Sequence, residues 1–231
     1  MAVSVDELLQ QHPARLWRAR EQGGRASSAP AGLPTGYAAL DRCLPGQGWP
    51  QQGLIEILSD HRGIGELHLL MPALARLCTP APGTSRRQKN EKPVASPASQ
   101  GSWIAWVSPP YVPYAPALAA WGIDVARLLV VRGAGATEWA MDQALRSAAC
   151  SAVLGWANPR APQALRRLQL AAEQSGSLAV LFRPLQAALM PSPAVLRLAL
   201  HGDRDAMQVR IIKSRGGQAT SVLLPIHHNP S

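Results

Sequence analysis

The chain has 231 residues, 47% of them hydrophobic, and its 23 Lys and Arg against 14 Asp and Glu leave a formal net charge of +9. This length is enough for one sizeable core, and its apolar runs fall well short of the roughly 20 residues that a membrane-spanning helix needs. The N-terminus lacks the features of a secretory signal, so we expect a cytoplasmic protein. The positive charge favours an acidic protein surface or nucleic acid as partner, or it belongs to a solvated basic surface.

The three cysteines, Cys43, Cys78 and Cys150, are widely spaced and form no CxxC pair. No histidine lies near them at the spacing of zinc ligands. We therefore expect reduced thiols, no metal site and no cofactor.

Composition divides the chain into a core and several outlying segments. Residues 1–22 predict a short helical segment that is interrupted by Pro13, and the Gly/Ser/Ala-rich residues 23–31 predict a linker. Residues 32–226 form the predicted core, and residues 227–231 form a tail. Within the core, residues 79–101 are rich in proline, serine and lysine, which predicts a flexible insertion.

Strand and helix patterns alternate through the core. Such alternation predicts an α/β fold with a mostly parallel central sheet and helices on both faces. The C-terminal part changes to two alternating runs, which predict an antiparallel hairpin on the sheet edge. The predicted strands are 54–58, 103–107, 128–131, 152–156, 178–182, 196–200 and 207–213, and the predicted helices are 66–77, 116–121, 138–149 and 162–174.

The segment from Leu33 to Leu67 carries the most specific pattern. It reads Leu33-Pro34-Thr35-Gly36, then Leu40-Asp41, then Gly46-Gln47-Gly48-Trp49-Pro50, then Ile55-Glu56-Ile57, followed by a glycine-containing loop. This ordered series closely resembles the start of the RecA recombinase core, in which the Walker A phosphate loop follows the strand. The resemblance implies a RecA-like P-loop NTPase fold.

The loop itself departs from a working phosphate loop, which requires G-x-x-x-x-G-K-[ST]. Asp60 stands at the first glycine, Glu66 replaces the lysine that neutralises phosphate charge, and Leu67 replaces the hydroxyl that holds Mg²⁺. Only Gly65 matches. The degenerate loop comprises Asp60, His61, Arg62, Gly63, Ile64, Gly65, Glu66 and Leu67.

The second half of an ATPase site is also incomplete. Gly155 stands where the Walker B aspartate is required, and the strand ending at Val107 is followed by Ser108 and Pro109 instead of a catalytic glutamate. We therefore predict no catalytic residue and no ATPase activity. A live ATPase is the competing class, and a nucleotide titration distinguishes the two.

The degenerate core, the string from Ile55 to Leu67 and the C-terminal Ile212-Lys213-Ser214-Arg215-Gly216-Gly217 together resemble the ImuA family, over roughly Leu33 to Gly217. The resemblance implies a non-enzymatic accessory protein of damage-induced, SOS-linked translesion DNA synthesis. Its implied partners are ImuB, RecA or an error-prone polymerase, with at most indirect or weak DNA contact. The alternative is a SulA-type inhibitor of cell division that acts on FtsZ, since SulA has a similarly stripped RecA-like fold.

Four residues are candidate contacts for a partner. Trp17 and Arg18 combine residue types that dominate protein interfaces, although the N-terminal segment could equally fold back onto its own sheet. Lys213 and Arg215 match basic residues that reach a neighbouring subunit in RecA-like filaments, and they either contact an acidic partner or form an exposed basic strand end. The helix over 162–174, which carries Arg166 and Arg167, is a weaker candidate.

Overall fold

The computed structural model describes residues 31–61, 63–78, 103–133, 135–202 and 206–225. The predicted N-terminal segment 1–22, the linker except for Ala31, the insertion 79–101 and the tail 227–231 lie outside these ranges. None of the described helices has the length and hydropathy that a bilayer crossing requires.

The strands of the described residues form one eight-stranded sheet. Apolar and β-branched residues dominate them, as expected for strands that are covered on both faces. Their bounds are β1 Leu54–Ser59, β2 Trp103–Val107, β3 Leu128–Val131, β4 Cys150–Trp156, β5 Leu178–Pro184, β6 Leu196–Gly202, β7 Ala206–Ser214 and β8 Thr220–Pro225.

One short described helix precedes β1, and the others lie between strands in the chain. The α-helices are α1 Ala38–Asp41, α2 Met71–Cys78, α3 Ala115–Ala120, α4 Thr137–Arg146 and α5 Pro162–Ser175, and 3-10 helices span Val125–Arg127 and Leu185–Leu189. The longest of them, α5, begins with a proline in its first turn and ends at Gly176, whose φ of 67° suits a left-handed C-cap.

The strand order across the sheet is β3-β2-β4-β5-β1-β6-β7-β8. Strands β3, β2, β4, β5, β1 and β6 are parallel, and β7 and β8 are antiparallel to their neighbours. The prediction of a mixed α/β fold with a mostly parallel central sheet is therefore confirmed. Both neighbours of β1, which are β5 and β6, come much later in the chain. Strand β1 is therefore an internal strand of the sheet.

Helices cover the two faces of the sheet with separate apolar clusters. Leu40, Leu74 and Leu118, from α1, α2 and α3, pack on one face. Met141 and Leu168, from α4 and α5, pack on the other. The predicted layering with helices on both faces is observed.

The position of the C-terminal hairpin differs from the prediction. Strand β6 is an internal strand, because it pairs in parallel with β1 and antiparallel with β7. The edge strand on this side of the sheet is β8, which the sequence analysis missed. The alternation Leu196-Arg197-Leu198 suggested a solvent-facing side, but Arg197 is buried beside Glu56, so both faces of β6 are covered.

Two predicted helices have different bounds. Residues 66–70 form turns, and regular helix begins only at Met71. Leu70 donates its N–H to Leu67 O instead of extending an α-helical ladder, and the His68 carbonyl accepts a bond from the Tyr37 hydroxyl. The helix predicted over 138–149 ends at Arg146, since Ala148 takes a left-handed φ of 53°.

Candidate functional site

The glycine-containing loop after β1 lies at the carboxyl edge of the parallel strands. Strand β1 is flanked by β5 on one side and β6 on the other, while the chain continues from the loop to distant β2. In open α/β sheets, ligands bind in the crevice outside the carboxyl ends of the strands at such a reversal of strand order. The candidate site is therefore built from this loop and from the ends of β4 and β5.

The loop folds onto the carboxylate of its own glutamate. Gly63 and Gly65 have φ values of 81° and 98°, a region that glycine reaches without strain. This path turns the Gly63 N–H toward Glu66, where it lies 3.0 Å from both Oε1 and Oε2. Backbone N–H groups of this kind are what a phosphate loop offers to a phosphate. The chain thus supplies its own anion, and Glu66 is only 6% exposed.

The other loop residues are divided between solvent and core. Asp60 and His61 are exposed, and Arg62 lies outside the described residues. Ile64 packs against the end of β6, where a Cβ on Gly202 would come within 2.8 Å of the Ile64 Cβ. Leu67 packs against the apolar core. The hydroxyl position of a phosphate loop is therefore occupied by a core side chain.

The cleft beside the loop is small. Its volume is about 230 Å³, and Asp60, Glu66, Asn158 and Arg183 line it. Pockets for drug-sized ligands typically measure about 300 to 1,000 Å³. The carboxylates of Asp60 and Glu66 in this confined space oppose the binding of a triphosphate.

Gly155 lies inside β4, on the face covered by α4. A Cβ at this position would overlap the Met141 side chain, whose sulfur is the nearest atom. Met141 is fully buried and fills the space that a side chain at 155 would need. Position 155, which the sequence analysis matched to the Walker B aspartate, therefore has no room for a carboxylate in this packing.

A buried ionic cluster beneath the cleft was not recognised in the sequence. Arg183 Nη1 donates to Glu56 Oε1 at 2.9 Å, and Arg197 Nε donates to Glu56 Oε2 at 2.7 Å. The side chains of Glu56 and Arg183 are 0% exposed. The cluster joins β1, β5 and β6 on the face that is covered by residues 185–195. The signal in the sequence that could have revealed this cluster is one charged residue inside each of three apolar strands.

An apolar surface borders the cleft on the side of β2. The loop after β2 exposes Tyr111, Val112 and Tyr114, which are 67%, 71% and 71% accessible. A groove of about 210 Å³ runs between this loop and the residues after β1. We call these three residues with their groove the Tyr111–Tyr114 surface. Tyrosines of this exposure are typical of protein interfaces.

The floor of this groove is a group of stacked aromatic rings. Trp156 stacks on Phe182 with ring centroids 4.7 Å apart and meets Trp106 at 5.7 Å. Trp106 is 2% exposed, and its indole N–H has no hydrogen-bond partner among the described residues. Glu66 lines both this groove and the small cleft, so the two form one continuous region at the carboxyl edge.

Lys213 and Arg215 lie at the opposite edge of the sheet from the loop. Lys213 Nζ donates to the Ser192 carbonyl at 2.8 Å, and Arg215 Nη1 lies 3.5 Å from Glu173 Oε1. Burial, followed by repulsion from Arg197, lowers the pKa of Lys213. The structure therefore does not bring these two candidates together with the degenerate loop.

The remaining candidates are only partly described. Trp17 and Arg18 lie outside the described residues. On α5, Arg166 is exposed, and Arg167 Nε lies 3.9 Å from Asp142 Oδ2. Within the described ranges, no group of three His, Cys, Asp or Glu is arranged to hold a metal ion.

Comparison with known proteins finds a partial sequence similarity to SulA. The chain is 36% identical over 92 residues to the cell division inhibitor SulA of Edwardsiella piscicida, which is 39% of this chain and 55% of that relative. The chain thus spans about half the length of the curated relative that it matches. No protein-family model matches it.

A solved structure gives a weaker likeness. The crystal structure of SulA from Pseudomonas aeruginosa matches 56% of this chain and 97% of its own, with 22% sequence identity and a TM-score of 0.39. A likeness at this level carries no argument about function.

Proposed function

We propose that this protein is a non-enzymatic factor of the response to DNA damage, which acts by binding a partner protein at the carboxyl edge of its sheet. One observation carries the proposal. The Glu66 carboxylate accepts the Gly63 N–H, so the backbone group that a phosphate loop would offer to a nucleotide is taken by the chain itself. The RecA-like ancestry of the frame is part of this proposal, and it is supported by the position of the loop after central strand β1.

The direct test of the missing enzyme activity is a titration with Mg-ATP. The Glu66 carboxylate, the Leu67 side chain and the packed Gly155 position each remove a contact that nucleotide binding needs. Charge-assisted hydrogen bonds contribute about 1.5 to 3 kcal/mol each, so we expect no binding at millimolar nucleotide. Saturable binding of Mg-ATP in calorimetry, together with release of phosphate, would overturn the non-enzymatic assignment.

The partner surface that the geometry favours is the Tyr111–Tyr114 surface. Exposed tyrosines next to an apolar groove have the composition of an interface core, and a few such residues often carry most of a binding free energy. The substitutions Tyr111→Ser and Tyr114→Ser together should weaken partner binding about tenfold or more. Leu223→Ser on β8, at 68% exposure, is the matched control and should leave binding unchanged.

The similarity to SulA favours FtsZ as the partner and inhibition of cell division as the role. In this case the purified chain slows FtsZ polymerisation, and its overproduction yields long filamentous cells. Both effects should weaken in the Tyr111→Ser, Tyr114→Ser variant and persist in Leu223→Ser. Normal FtsZ polymerisation at a large excess of the native chain would reject this role.

A second role is favoured by a different observation, since the resemblance to the ImuA family extends over roughly Leu33 to Gly217, whereas the SulA match covers 39% of the chain. In this role the protein is an accessory factor of mutagenic translesion synthesis and binds ImuB, RecA or an error-prone polymerase. Deletion should then abolish damage-induced mutagenesis without affecting division. Co-purification of ImuB from damaged cells, in the absence of FtsZ, would select this role over the first.

A further inference from the structure

A sizeable cavity lies at the amino edge of the sheet, on the side opposite the loop after β1. Its volume is about 570 Å³. Its lining is mostly apolar and comes from the segment before β1, the start of β6 and the residue before it. The apolar lining residues are Leu44, Pro45, Pro50, Val195 and Leu196.

The charged groups at the rim have both signs. Arg215 is exposed over 74% of its side chain and lies 3.5 Å from Glu173, whose side chain is 34% exposed. An ion pair so open to water is weak, so both groups remain accessible to a ligand. The amino-edge pocket therefore suits an amphipathic segment that carries apolar side chains together with charges of both signs.

The chain itself enters the described structure at this rim. Gln51, which lines the pocket, donates its side-chain amide to the Ala31 carbonyl at 3.0 Å. The next residues are pinned in place, because Gly32 N–H bonds to Gly46 O and Leu33 pairs with Trp49. Ala31, the first described residue, therefore lies at the mouth of the pocket.

We propose that the amino-edge pocket holds the N-terminal segment of the same chain, with Leu16 and Trp17 as the apolar anchors. The segment has the matching chemistry, since Asp6 and Glu7 can face Arg215 while Arg18 can face Glu173. Thirteen residues, 18–30, separate Trp17 from Ala31, and a flexible linker of this length spans about 20 Å on average. Such a tether places Trp17 at an effective concentration on the order of millimolar.

This docking has a consequence for the candidate contacts at the same edge. Arg215 lies on the rim, so the docked segment covers it and competes with any acidic partner that would bind there. The amino-edge pocket lies at the edge opposite the Tyr111–Tyr114 surface. Docking of the N-terminal segment there is therefore independent of the proposed function.

Cross-linking in the full chain tests the proposal. All variants carry Cys43→Ala, and the buried Cys78 and Cys150 are kept. The test pair is Ala19→Cys with Gln52→Cys, an exposed residue that lines the pocket. The control pair is Ala19→Cys with Gln47→Cys, which is exposed and adjacent to the Gly46 that bonds Gly32, but does not line the pocket. A short bismaleimide reports the rate of cross-linking within one chain.

We expect the pair at residues 19 and 52 to cross-link within one chain about fivefold faster than the control pair, because docking raises the local concentration beyond that of the tether alone. Adding Trp17→Ala should lower the first rate to that of the control and leave the control unchanged. Equal rates in the two pairs, or no effect of Trp17→Ala, would overturn the proposal. Cross-links formed only between two chains would also overturn it, and would assign the pocket to a second copy.

Discussion

Two glutamates ten residues apart show how differently the interior of the sheet and its carboxyl edge use the same side chain. Glu56, inside β1, is held by two arginines and the Ser192 hydroxyl within 2.9 Å. Glu66, in the loop after β1, is held at 3.0 Å by one backbone N–H. The first carboxylate ties three strands together, whereas the second holds the turn of its own loop. The role of a buried glutamate therefore depends on its partners, which are charged side chains for Glu56 and a backbone N–H for Glu66.

The largest effect should follow from removing Glu56. Glu56→Ala leaves Arg183 and Arg197 buried without their counter-ion, and breaking a buried ion pair by removing one partner typically costs about 3 to 5 kcal/mol. Urea denaturation followed by circular dichroism measures the loss in the free energy of unfolding. Glu56→Gln keeps the shape and one acceptor and should lose less. A loss below about 1 kcal/mol would mean that the cluster contributes as little as a surface ion pair.

The packing beneath the loop is tested at Gly155. In Gly155→Ala the new methyl group overlaps Met141, and overpacking of a core typically costs about 1 to 3 kcal/mol. Met141→Ala in the same chain relieves the overlap, so the double variant should lose less than the sum of the two single losses. Strict additivity in thermal denaturation would show that these residues do not compete for space.

Glu66→Ala should have a smaller effect on stability than either change inside the sheet. The lost bond involves a charged acceptor, but Gly63 is exposed and water can replace the carboxylate. We therefore expect a loss of about 1 kcal/mol, at or below the lower end of the range for hydrogen bonds to charged groups. Hydrogen exchange at the Gly63 amide should accelerate in this variant and remain slow in the control Glu173→Ala. An unchanged exchange rate would contradict the contact.

The smallest expected effect concerns the native thiols, whose labelling rates report whether each cysteine lies in the interior or near the surface. Burial raises the pKa of the Cys78 and Cys150 thiols, which lowers their thiolate fraction and their reactivity. Cys43 is partly exposed. Iodoacetamide at pH 8 should label Cys43 about tenfold or more faster than the other two, as measured by mass spectrometry. Comparable labelling rates for the three cysteines would mean that the start of β4 and the end of α2 open readily to solvent.

The sequence was sufficient for most of the fold, because alternating strand and helix patterns are local properties of the chain. It predicted β6 but placed it in a hairpin at the sheet edge, and it missed β8. The charge of Arg197 suggested that one face of β6 is exposed to solvent. Arg197 is buried instead because it pairs with Glu56, 141 residues away in the chain. Strand β8 has only short runs of apolar residues, and its assignment depends on pairing with β7.

The candidate site was predicted only in part, because some of its features follow from the order of residues and others depend on contacts between distant residues. The departure of Glu66 and Leu67 from the phosphate-loop pattern is visible in the order of the residues. The Tyr111–Tyr114 surface was missed, since Pro109 to Tyr114 looks like an ordinary loop until it is placed beside Trp106 and Trp156. Lys213 and Arg215, which the sequence also suggested as partner contacts, lie instead at the amino edge of the sheet.

What the sequence determined by itself was the mixed α/β class of the fold and the position of the glycine-containing loop after β1, because both depend on residue identity and on spacing within one element. The tertiary structure alone decided where the Glu66 carboxylate points, which charges are buried as a cluster, and which exposed aromatic residues share a groove. These features depend on backbone dihedrals and on contacts between residues far apart in the chain, and no local pattern encodes them.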